Sequence, residues 1–144
     1  MKRTLRLAAL GGLIVLALAG CMFGKTLEGR IGQFEADLNL DLTGRSGIYL
    51  NFHPTLTTDY EAIKDPAFFD VPFPVLGTIN TPYEIVITDK TNESAVTATI
   101  DSSAMGINSP FNAIFEMALD GMDYKIVSLK VDWEGGSGFE DVVK

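Results

Sequence analysis

Few residues in this chain have the types and spacing that do chemistry. The sole cysteine, Cys21, offers a thiol, and the sole histidine, His53, offers a ring that exchanges protons near neutrality. His53 stands beside Pro54, and no serine sits in a nucleophile-elbow pattern for it to serve, so it reads as a surface or strand-end residue rather than a catalyst. Carboxylates are plentiful. Asp120, Asp123, Asp132, Glu134, Glu140 and Asp141 gather late in the chain, and Asp89, Asn92 and Glu93 share a loop. Oxygen-rich loops can hold Ca²⁺, but none of these has an EF-hand spacing, and the expectation is solvated turns and an acidic face. A carboxylate pair for glycoside chemistry, drawn from so many acids, carries no information. Neither a phosphate loop nor a dinucleotide fingerprint occurs. The expectation is a protein that is not an enzyme and uses no metal or cofactor.

The context of Cys21 is more specific. Lys2, Arg3 and Arg6 precede an uncharged apolar run over residues 7–19. That run is about 13 residues, or ~20 Å as a helix, where a bilayer span needs ~20 residues. A basic start, a short apolar run and small residues before a break are the build of a cleaved secretory signal. At its end, Leu18-Ala19-Gly20-Cys21 resembles the lipobox of bacterial lipoproteins. The resemblance implies that the Cys21 thiol receives a diacylglyceryl group. A peptidase that recognises Leu18, Ala19 and Gly20 then cuts before Cys21, and the new amine is acylated. Acyl chains contribute ~0.8 kcal/mol per buried CH₂, so two or three would hold the protein on a membrane nearly permanently. Met22 occupies the position where lipoproteins retained in the inner membrane of enteric-type bacteria often carry Asp, which favours the outer membrane, with the head facing the periplasm.

Cleavage after residue 20 would leave 124 of the 144 residues, the size of one domain. It removes three of the 11 basic residues and none of the 19 acidic ones, leaving eight against 19 and a formal charge of −11. Nucleic acid and charge-driven binding to anionic lipid both need a basic face and are excluded. With Cys21 consumed by lipid there is no disulfide, so stability must come from a core, which a chain that is 47% hydrophobic can build.

Residues 21–28 read as a lipidated tether. Over residues 34–42, Phe34, Ala36, Leu38, Leu40 and Leu42 alternate with Glu35, Asp37, Asn39 and Asp41, the pattern of a half-buried strand. Residues 43–47 supply a hairpin turn, and Ile48, Leu50 and Phe52 resume the alternation until Pro54. Asp65-Pro66 offers an N-cap with proline at the first helical position. Residues 68–75 place Phe68, Phe69, Val71, Phe73 and Val75 around two prolines, which bars a central strand. That segment reads as an edge or extended crossover, and its apolar side chains are the candidate contacts for a partner. β-Branched runs at residues 83–88 and 94–100 flank a turn and predict a hairpin. Residues 111–119 fit a helical stripe or a strand, and Asp120-Gly121 followed by the strand-like residues 124–133 favours a second hairpin. Trp133 and Tyr124 read as core and rim.

These elements predict an all-β fold: a small antiparallel two-sheet sandwich, immunoglobulin-like or transthyretin-like, with about seven strands. It would span residues 29–134 after the signal (1–20) and tether (21–28) and precede a Gly-rich acidic tail (135–144). The expected role is a membrane-anchored envelope lipoprotein whose head binds or scaffolds another envelope protein. A small-ligand carrier or an envelope hydrolase is the alternative. Residues 36–39 (Ala-Asp-Leu-Asn), Gly44-Arg45-Ser46, the strand expected at 48–52 and Ala67-Phe68-Phe69-Asp70 also resemble the lipoprotein subunit of type VI secretion systems. That resemblance implies a transthyretin-like sandwich that anchors a secretion complex.

Overall fold

Thr26 sets the first element. Its backbone is extended and its Oγ1 accepts from the Gly29 N–H at 3.0 Å, an N-cap that starts helix α1, Leu27–Leu38. The computed structural model describes residues 25–75, 82–102, 110–136 and 138–144. Along α1, Leu27, Ile31, Phe34 and Leu38 recur at helical spacing and are all buried, while Ala36, Leu40 and Leu42 are exposed. The strand expected at residues 34–42 is therefore a helix and its C-terminal flank. The apolar residues that reach the core lie four apart, not two.

The expected return strand is also helical, a 3₁₀ segment over Gly44–Asn51, and Phe52 then meets the sheet through an isolated parallel bridge to Ile126. The turn into this segment is fixed by Asp41 Oδ1, which accepts from the Gly44 N–H at 2.7 Å. A Cβ on Gly44 would come within 2.7 Å of the Leu40 Cβ, so glycine alone permits that approach. Short 3₁₀ turns at Ala62–Lys64 and Pro66–Asp70 complete the helical layer. Asp65 caps the second of these, its side chain accepting from the Ala67 N–H with Pro66 at the first position, as the sequence predicts.

The rest of the chain is a meander. Strands β1 (Glu84–Asp89), β2 (Val96–Asp101), β3 (Phe111–Asp120), β4 (Asp123–Asp132) and β5 (Glu140–Val143) form one antiparallel sheet in sequence order. Both expected hairpins are present, and residues 111–119 are strand. Gly121, at φ +65°, makes the tight turn between β3 and β4. Register pairs Ile85 with Ile100, Ala98 with Ala113, Val96 with Phe115 and Phe115 with Leu129, which aligns one apolar face toward the helices. The other face carries Val86, Thr97, Thr99, Ile114, Glu116 and Lys130.

The fold is thus β-rich and antiparallel, but its second layer is helical. Among the described residues there is one sheet of five strands, where two sheets with about seven were expected. Residues 36–39, 44–46, 48–52 and 67–70, which carry the resemblance to the secretion-system subunit, lie in α1, its flank, the 3₁₀ segment with Phe52 and the 3₁₀ turn Pro66–Asp70, so they do not form the sandwich that resemblance implies. The core is centred on Phe34. Its ring lies 5.6 Å from Phe52, 5.9 Å from Phe69, 6.5 Å from Phe73 and 6.1 Å from Phe115, all edge-on.

Both expected boundaries move. Leu27 is already core, so the head begins inside the expected tether. The expected acidic tail is β5: Val143 is fully buried opposite Leu129, and Lys144 and Asp59 exchange backbone and side-chain hydrogen bonds at 2.8 Å.

Candidate functional site

Leu18, Ala19, Gly20 and Cys21 lie outside the described residues. The candidate partner segment does not, and it is not an exposed dock. After the capped 3₁₀ turn, the Phe73 N–H donates to the Phe69 carbonyl at 2.9 Å, which points both rings inward. Phe69 and Phe73 have no exposed surface; Phe69 packs on Phe34 and Phe52, and Phe73 on Tyr83 and Trp133. Phe68 and Val75 are half-buried, and Val71, at 85% exposed, alone stands fully in solvent. Of the five candidate contacts, two are core. The alternation of prolines hid a pair of aromatics four apart that a compact turn can bury.

Among the described residues, His53, Arg45 and Tyr83 are committed to structure. His53 is buried, not at the surface. Its Nδ1 faces the N–H groups of Thr55 and Leu56 at 3.3 and 3.2 Å, and its Nε2 lies 3.3 Å from the Leu119 carbonyl. This pattern suits the neutral ring with the proton on Nε2, accepting at one nitrogen and donating at the other. Arg45 is wholly buried and donates from Nε and Nη2 to the Leu38 carbonyl and from Nη1 to the Phe73 carbonyl, closing the C-terminus of α1. Burial lowers its pKa, with Tyr83 and Asp70 opposing. The Tyr83 hydroxyl donates to the Pro74 carbonyl at 2.6 Å, and burial pushes its pKa up to about 12.

Sheet order divides the late carboxylates between two ends of the molecule. At the end that holds Lys25, called proximal for its closeness to the first described residue, lie the N-terminus of α1, the β1–β2 loop and the β3–β4 turn. The Tyr124 N–H donates to the Lys25 carbonyl at 3.0 Å, and the Lys25 N–H donates to Asp123 Oδ1. Arg30, buried beside them, donates to the Tyr124 carbonyl at 2.8 Å and to Asn51 Oδ1 at 3.1 Å, with Asp123 at 4.0 Å. Burial lowers the Arg30 pKa against the pull of Asp123 and Asp37. Asn51 and Gln33 both donate to Asp37, and Lys125 donates to the Leu50 carbonyl. The Tyr124 hydroxyl donates to Glu93 at 2.8 Å, which raises its pKa. Tyr124 is therefore rim, as expected. The whole network fastens the start of α1 to the free edge of β4.

At the distal end lie the C-terminus of α1, Tyr83 and the β4–β5 loop. Half-buried Trp133 packs at 5.1 Å on Phe111 and 5.7 Å on Phe73. Asp132 is buried; its Oδ2 accepts from the Gly136 N–H at 2.7 Å, and Oδ1 has no hydrogen-bond partner among the described residues. Leu40, Leu42, Val71 and Phe139 are exposed on elements of this end. Asp141 pairs with Lys130 and Lys144. Among the described residues, no three His, Cys, Asp or Glu side chains are grouped to hold a metal ion, and no helix is long and apolar enough to cross a membrane.

Compared with known proteins, the chain matches no family model, no curated protein and no solved structure.

Proposed function

We propose that this protein is a bacterial envelope lipoprotein, held in the outer membrane by acylated Cys21, whose non-enzymatic head binds another envelope protein at its distal end. One observation carries the reading. Only residues 22–24 separate Cys21 from Lys25, which already pairs with β4 and the Asp123 side chain. An anchor at Cys21 therefore fixes the proximal end within about 14 Å of the lipid, at most ~3.6 Å per residue. The opposite end, with Trp133, Val71, Leu40, Leu42 and Phe139, is the one displayed to a partner. A non-enzymatic role accords with His53, Arg30 and Arg45, whose polar atoms are spent on backbone and buried side chains. The carrier alternative needs an apolar cavity between the layers, and the five-ring cluster around Phe34 occupies the middle of that space.

The test combines mass and position. Protein taken from the membrane fraction should carry diacylglyceryl and acyl groups on Cys21, and a Cys21→Ser variant should leave that fraction. A photo-cross-linker replacing Val71 should then capture one envelope protein in intact cells, and one replacing Val86 on the open sheet face should not. An unmodified Cys21, or equal capture from both positions, would overturn the reading. Charged substitutions of Phe69 or Phe73 are unsuited to the purpose because they would unfold the core.

A further inference from the structure

The proximal end carries apolar surface that the fold itself does not use. Met122, at the tip of the β3–β4 turn, is 69% exposed, and Leu119, Leu50 and Leu56 are each more than half exposed. The hydrogen bonds place these four together. The Leu119 carbonyl meets His53 Nε2, the Leu56 N–H donates to His53 Nδ1, and the Leu50 carbonyl accepts from Lys125, two residues from Asp123 in β4. Leu119 has the same strand parity as Met117 and Phe115, so it continues the core-facing row of β3 past the edge of the core. Lys25, where the chain enters the head, is bonded to Asp123 and Tyr124 immediately after the same turn.

We infer that this end is a lipid-seating surface: Met122 and Leu119 at the turn, flanked by Leu50 and Leu56, rest in the headgroup–acyl boundary of the bilayer that holds the lipidated Cys21. The inference rests on the lipoprotein reading above and adds to it an orientation, with the sheet standing upright on the membrane. The occupant is a bilayer rather than a protein because an acylated Cys21, four residues from Lys25, would hold this end within about 14 Å of the lipid. Charge does not drive the contact. Lys25, Lys90 and Lys125 stand among Glu28, Asp89, Glu93, Asp120 and Asp123, and Lys90 is already paired with Glu28. Seating should therefore be no stronger on anionic than on zwitterionic lipid.

The experiment uses the full lipidated protein in phosphatidylcholine vesicles. Acylated Cys21 has no free thiol, so a cysteine introduced as Met122→Cys, Leu56→Cys or Val71→Cys is the single labelling site for an environment-sensitive fluorophore. Nitroxide-bearing lipids that quench ~5–10 Å into the interface should quench the label at 122 or 56 at least about twofold more than the label at 71. Adding Leu119→Ser and Met122→Ser should abolish the excess at position 56 while leaving Trp133 fluorescence, and hence the fold, unchanged. Intact mass read on the same samples separates the two failures. Acylated protein with equal quenching at all positions refutes the seating surface and leaves the lipoprotein reading standing. Protein with an unmodified Cys21 refutes both.

Discussion

Replacing Arg45 by methionine tests how the helical layer is closed. The guanidinium has no exposed surface; Nε and Nη2 donate to the Leu38 carbonyl at 3.1 and 2.5 Å, and Nη1 donates to the Phe73 carbonyl at 2.6 Å. Methionine fills much of the same volume but leaves both carbonyls buried without these donors, at ~1–3 kcal/mol each, or about 4 together at mid-range. The lost cation at the negative end of α1 adds about 1 kcal/mol. In the other direction, burial is what lowers the Arg45 pKa, and replacing a buried charge by an apolar side chain can return ~1–4 kcal/mol. Taking about 3 for that relief, the net loss is about 2 kcal/mol, a sizeable part of the ~5–15 kcal/mol of a whole domain. Arg45→Lys keeps the charge but not the fork, so a single ammonium reaches one carbonyl at best, and it should also lose stability. The assay is urea unfolding of residues 22–144 followed through Trp133, the only tryptophan, whose packing on Phe73 and Phe111 makes it a reporter of the core. An Arg45→Met midpoint at or above that of the parent, with unchanged slope, would refute the claim that carbonyl satisfaction outweighs charge burial.

Phe34→Ala should cost about 3–5 kcal/mol in the same assay, because the ring touches four others and nothing can fill its place, whereas Val71→Ser should stay within about 0.5 kcal/mol. Tyr83 sets an alkaline limit. Its pKa is raised from 10.0 to about 12, so its contribution is complete below pH 10 and is lost as pH rises from 10 toward 12, on the order of 2 kcal/mol. Tyr83→Phe should flatten stability over that interval in a pH series of urea melts; an unchanged slope would show that the buried hydroxyl is not its source. Removing residues 139–144 takes Val143 from the core and bares the β4 edge at Leu129, Lys130 and Val131. The shortened head should be at least about 2 kcal/mol less stable and should associate at raised concentration in sedimentation, as unprotected strand edges do.

The meander was legible in the chain. Residues 83–100 and 111–133 announce hairpins through β-branched runs interrupted by turn chemistry, signals that act within a few residues. The Asp65-Pro66 cap was equally local. The first third is ambiguous for a physical reason: Phe34 and Leu38 belong to an alternating and to a helical pattern at once. The signal for the helix lies upstream, in Leu27 and Ile31 behind the Thr26 cap, seven and three residues before Phe34 on the helical stripe. Read as strands, residues 34–52 predict a second sheet where the structure has a helical layer.

The sequence alone therefore determined the local matters: the acidic balance, the hairpins and the turn at Gly121. Tertiary structure decided what depends on distance. Whether Phe69 and Phe73 face a partner or Phe34 is set by a turn that buries them. Whether residues 140–143 are tail or strand is set by a free edge on β4. And the meeting of Lys25 with Asp123 and Tyr124, about a hundred residues along the chain, is what fastens the start of α1 to β4. Burial and long-range pairing are properties of the folded whole, and no window of the sequence contains them.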